Sequence, residues 1–297
     1  MEIQWSLVLF AALSAWGAGT YAATAVFGEL LGWAPGAKNP CLVLSAAALI
    51  VGAIASMTHL GHLDRIFGVL ANPGSGIFVE GLSAGLLVVV IAVWLVAASR
   101  GASESALKVV AVVGLVLAAA LTVAVGSSYL MASKPAWDVL ALPLLSVGTA
   151  AVLGCVTYLA VASRGADAKV RSNLSLVVLV AVAVQSVLVI LYLAMVAGAG
   201  FQHESRAVAR VLSGDLAPLF WIGVAVLGLV VPAAAAVVER RGAAADAKVA
   251  LSGEATSETS AGATTFLFAA VACLVLAAVS FRVVMFSLGS SIISFGF

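Results

Sequence analysis

The sequence predicts an all-α fold, a bundle of eight transmembrane helices, and three observations carry that prediction. Uninterrupted apolar runs of about twenty residues recur along the whole chain, the length needed to cross a hydrocarbon core. Of the 297 residues 64% are hydrophobic and only 9% are Asp, Glu, Lys or Arg, whereas a soluble domain carries about a quarter charged residues. Gly, Pro, Ser and nearly all the charge collect between the runs. A soluble protein so composed would lack the polar side chains to cover its own surface, so the uncovered surface must face lipid. The chain is therefore read as one transmembrane domain, 1–297.

The runs fall at 5–27, 40–60, 76–98, 107–131, 138–163, 173–199, 217–238 and 264–287. Each must be a helix, because an open chain in lipid can satisfy its backbone only internally and the runs are too long for barrel strands. The first run lacks the basic flank of a cleavable signal peptide and is expected to be retained as the first helix. The segment 239–263, rich in Ala, Ser, Thr and Gly, reads as a flexible cytoplasmic loop.

Basic residues set the expected orientation. Lys38, Arg100, Lys108, Arg164, Lys169, Arg171, Arg240, Arg241 and Lys248 lie after odd-numbered runs, against Arg65, Lys134, Arg206 and Arg210 after even-numbered ones. This excess places the odd-numbered loops in the cytoplasm and both termini outside the cell membrane.

Several function classes are disfavoured. The net charge of +1, without a basic tract, gives no basis for nucleic-acid binding. Cys41, Cys155 and Cys273 each stand alone, so no metal is expected in this chain. A membrane haem needs histidines on facing helices. His59 and His62 share one helix end and His203 sits in a loop, so no haem is expected.

The ionisable groups that fall inside the runs are the functional candidates, because such groups are costly in lipid. They are Glu80 near the start of the third run and Arg282 near the end of the eighth, joined by His59 at the end of the second. All three lie near the same outer face. Each also has a plainer reading. Arg282 is long enough to snorkel, Glu80 can merely neutralise Arg282, and His59 can cap its helix. Together they suit proton-coupled exchange with a quinol: histidine titrates near neutrality, and a carboxylate held out of water readily takes a proton. Tyr129 and Trp137 lie at the same level and can line such a pocket, or belong to an interfacial aromatic belt.

The stretch Ala55-Ser-Met-Thr-His-Leu-Gly-His62, followed by Arg65, resembles the signature of the membrane anchor subunit of dimethyl sulfoxide reductase. Further stretches resemble that family in the same order. They are Glu2-Ile-Gln-Trp5, Glu80-Gly-Leu-Ser-Ala-Gly85, Pro135-Ala-Trp137, and Phe281-Arg282 with Phe286 and Gly289. The chain departs at Ser6, where the family has proline, and at Val79, where it has asparagine. It departs again at Ser127-Ser128-Tyr129, where the family often has an Arg-Val-Tyr sequence. The resemblance implies eight helices and a menaquinol site at His59 and Glu80. It also implies two partners, a ferredoxin-like iron–sulfur subunit and a molybdopterin catalytic subunit. Electrons would pass from menaquinol to the iron–sulfur partner in anaerobic respiration. The partners would dock on the outer loops, including His62, Asp64 and Arg65 and the stretches 132–137 and 200–216. The alternatives are a small-molecule or ion transporter, which would keep polar groups near the midplane, and a tether without quinol chemistry.

Overall fold

The computed structural model describes residues 3–58, 72, 74–198, 202–252 and 259–289. The described secondary structure is all helical, with eight helices long and apolar enough to cross a membrane. We number the helices α1 (Trp5–Leu30), α2 (Pro35–Met57), α3 (Gly76–Ser99), α4 (Glu104–Ser127), α5 (Ala141–Ala162) and α6 (Ala168–Ala197). A short α7 (Gln202–Ser213) follows. Then come α8, running through Leu219–Val230 and Val231–Ser252, and α9 (Thr259–Leu288). The spans are α1–α6, α8 and α9. The chain is a multi-pass membrane protein.

Two expectations need correction. The stretch 200–216, read as a loop, contains α7. Its Ala207, Val208 and Val211 are buried along one face, the spacing by which a short amphipathic helix docks on a bundle. The segment read as a flexible loop from residue 239 is instead helical to Ser252. Its alanines are strong helix formers, and Glu239 is completely buried.

The bundle is organised about α1 and α5, the two most buried spans. α5 packs against α1, α4, α6 and α9, while α3 packs chiefly on α4, and α8 on α6 and α9. At the α1–α5 crossing the backbones touch. A methyl on Gly19 would lie 1.8 Å from the Ala150 carbonyl oxygen, and one on Gly154 would lie 2.0 Å from that of Gly19. Membrane helices pack this closely where small residues let backbones approach, since no hydrophobic drive pushes helices together in lipid.

α8 is wound with the wider π spacing over Leu219–Val230, just before Pro232. Proline donates no N–H, and its ring crowds the carbonyl four residues earlier. A wider turn upstream relieves both demands.

Candidate functional site

The start of α3 is fixed by Ser75, whose hydroxyl accepts the Phe78 N–H at 3.2 Å, satisfying one of the orphan donors of a helix terminus. Glu80 follows about one turn inside and is 9% exposed. The turn that ends α4 brings Ser128 against it, and the Ser128 hydroxyl donates to the Glu80 carboxylate. The same hydroxyl lies 2.8 Å from the Ala124 carbonyl, and its single hydrogen serves one of these acceptors at a time.

Arg282 enters from α9, about 9 Å of helical rise before Leu288. It is 5% exposed, so it points into the bundle instead of snorkelling. Its guanidinium donates to Ser146 Oγ on α5 at 3.0 Å, and a second nitrogen lies 3.6 Å from Met285 Sδ. The guanidinium carbon stands 5.1 Å from the centroid of the Tyr129 ring, close enough for a cation–π attraction. Glu80 and Arg282 act on each other through their fields. No direct ion pair joins them among the described residues; each is held by a serine hydroxyl.

Aromatic side chains wall this group. Tyr129, Trp137 and Phe286 meet edge to face, with centroids 5.3 to 5.7 Å apart. Trp137 is 3% exposed, packed inward and not laid in an interfacial belt. Its indole N–H donates to the Met285 carbonyl at 2.8 Å, and Lys134 Nζ sits 3.7 Å from its ring centroid. Tyr192 on α6 donates to the Ala136 carbonyl at 3.1 Å, which pins the segment carrying Trp137. Burial pushes the Tyr129 phenol above its ordinary range, opposed in part by Arg282. Burial lowers the Lys134 ammonium.

Of the candidates read from sequence, the structure brings together Glu80, Arg282, Tyr129 and Trp137. They come from α3, the α4–α5 connection and α9, and they gather at one end of the bundle. His59, His62, Asp64 and Arg65 lie outside the described residues. Sequence reasoning missed Ser128 and Ser146, since serines at helix ends and in apolar runs carry no distinguishing pattern.

It also missed buried charge at the opposite end. Glu29 at the end of α1 pairs with Lys38 at 2.8 Å. Arg171 on α6 pairs with both Glu239, at 3.2 Å, and Asp246 on α8. Lys38, Arg171, Glu239 and Asp246 fall in stretches that the sequence predicts as loops. The available signal was the spacing of Glu239 and Asp246. Residues seven apart lie on one face of a helix two turns apart.

No curated protein matches the sequence. A protein-family model described as polysulphide reductase, NrfD, matches residues 3–251, a stretch that takes in every span except α9. With that match over most of its length and a multi-pass helical bundle to carry it, the chain belongs to the NrfD polysulphide reductase family, membrane subunits of quinone-linked reductase complexes.

Proposed function

We propose that the chain is the menaquinol-binding membrane anchor of a molybdopterin-dependent reductase of the dimethyl sulfoxide reductase kind. It passes electrons to an iron–sulfur subunit in anaerobic respiration. The observation that carries this reading is the convergence of Glu80, Arg282 and the Tyr129–Trp137–Phe286 walls at one end of the bundle, remote from the ion-paired charges at the other. Membership of a family of quinone-linked membrane subunits supports it, as do the motifs around His59, Glu80 and Arg282.

In this reading menaquinol enters sideways from the lipid, and its hydroxyls bond to His59 and Glu80. Oxidation to the quinone releases two electrons and two protons. Glu80 and His59 accept the protons and return them to the nearby aqueous face. Arg282 stabilises the negative charge that develops as a hydroxyl loses its proton. The aromatic walls hold the ring and keep water from the reacting oxygens. The electrons leave to the iron–sulfur subunit docked above, where the molybdopterin partner also sits. The excess of basic residues in the odd-numbered loops supports an extracytoplasmic position for this end.

The test is titration of a quinol-analogue inhibitor against the purified complex. Glu80→Gln and His59→Ala are each expected to weaken binding about tenfold, the worth of one hydrogen bond to a charged group. Unchanged affinity in both variants removes the proposed site. A complex whose mass spectrum contains no iron–sulfur or molybdopterin subunit removes the anchor role.

A further inference from the structure

The far end of the bundle holds a cluster that the quinol reading does not use. Arg171 near the start of α6 is 5% exposed, and Glu239 on α8 is 0% exposed. The Asp246 side chain, two turns further along α8, is 21% exposed. The guanidinium bonds one carboxylate from each of its terminal nitrogens. Two carboxylates against one cation leave an excess negative charge in a site closed to water on the Glu239 side.

The hydrogen bonding is incomplete as well. Glu239 Oε2 and Arg171 Nε are buried without a partner. An unpaired carboxylate oxygen buried with excess negative charge is among the costliest arrangements in a protein interior. Among the described residues no second cation pairs with it. The charged groups acting on Glu239 are Arg171 and Asp246. Arg240, Arg241 and Lys248 on the same helix are exposed, as are Arg164, Asp167 and Lys169 beside the start of α6. α9, the other helix packed on α8, carries no Asp, Glu, Lys, Arg or His between Thr259 and Ser280.

We propose that this cluster is a one-proton site. Glu239 carries the proton at its unpartnered oxygen, Asp246 stays ionised in the ion pair with Arg171, and the proton exchanges with water past Asp246. Binding forms one O–H bond on Glu239 and leaves the cluster electrically neutral, with one carboxylate for one guanidinium. The site opens on the face opposite the Glu80–Arg282 cluster and does not rest on the quinol reading.

Infrared difference spectroscopy on the intact complex in membranes, at neutral pH, tests it. A protonated carboxylic acid has a carbonyl stretch that separates from the amide band and shifts down in D2O. Wild type minus Glu239→Gln is expected to show that band. Absence of the band from the difference overturns the proposal. Asp246→Asn gives an independent check that holds even if Glu239→Gln fails to fold. With Asp246 neutral, Glu239 alone balances Arg171 and releases its proton, so the band is lost. A band unchanged by Asp246→Asn also overturns the proposal.

Discussion

At the scale of single residues, the candidate site depends on small polar groups that support large ones. Ser128 is the clearest case, because it supplies the hydrogen bond seen at the buried Glu80 carboxylate. Ser128→Ala should cost about 1–3 kcal/mol, the penalty for stranding a buried polar group. It should lower the unfolding temperature of the detergent-solubilised complex and weaken a bound quinol analogue. A variant with unchanged melting and affinity would show that Glu80 needs no support from α4. Trp137→Phe keeps an aromatic face but removes the donor to the Met285 carbonyl and leaves a small cavity where the indole was buried. The expected loss is about 1–3 kcal/mol of stability, read by thermal unfolding. Glu80 and Arg282 were legible in the sequence because charge inside an apolar run is conspicuous. Ser128 and Ser146 were not, because what makes them matter is the neighbour each meets from another helix. Arg171 and Glu239 were overlooked for a related reason: each stands at the edge of a run, where charge ordinarily faces water.

Among the elements, the helices α1 and α5 form the seam on which the others are hung. Their contact is made through Gly19 and Gly154, with no room for even a methyl group. Gly154→Val should force the two helices apart, and the measured outcome should be loss of the monodisperse peak in gel filtration. The corresponding change at Gly165, where a side chain meets open space, should leave that peak intact. α7 makes a different prediction. Arg210 near its end is bonded to Asp215 at 2.7 and 2.8 Å, and that bond holds the Asp215 carboxyl below its ordinary value of 3.8. A carboxyl with a depressed folded-state value stabilises fully above its unfolded value, and the effect is lost as pH falls through the folded one. Amide exchange in residues 207–213 should therefore quicken, relative to its intrinsic rate, as pH drops below about 3.8, and Asp215→Asn should abolish that dependence. The existence of the eight spans was evident from hydropathy. The extension of α8 was not, since alanine-rich sequence suits both a linker and a helix, and the partner that decided between them, Arg171, lies on α6.

For the molecule as a whole, the arrangement separates two charged ends by an apolar middle, and orientation becomes the property to measure. Ser133 lies in the α4–α5 connection and Gly165 in the α5–α6 connection, both exposed and at opposite ends. With Cys41, Cys155 and Cys273 replaced by alanine and the chain expressed without partner subunits, which the reading docks on 132–137, a membrane-impermeant thiol reagent applied to intact cells should label Ser133→Cys and spare Gly165→Cys. The reverse pattern would turn the molecule over and place the Glu80–Arg282 end in the cytoplasm.

The spans are also of unequal length. α5 has 22 residues and crosses with little to spare, while α8 continues from Val231 to Ser252, roughly 20 Å beyond its first twenty residues. That surplus carries α8 past the length needed for a crossing, with Arg240, Arg241 and Lys248 exposed along it and Arg171 paired to its Glu239 and Asp246. Cations on a helix that emerges from a bilayer are attracted to anionic lipid by about 1 kcal/mol each where they lie near its surface, so replacing these three with glutamine should weaken any preference of the purified protein for anionic over neutral vesicles. A change of charge on this emergent stretch would thus act on the bilayer from the end of the molecule opposite Glu80 and Arg282.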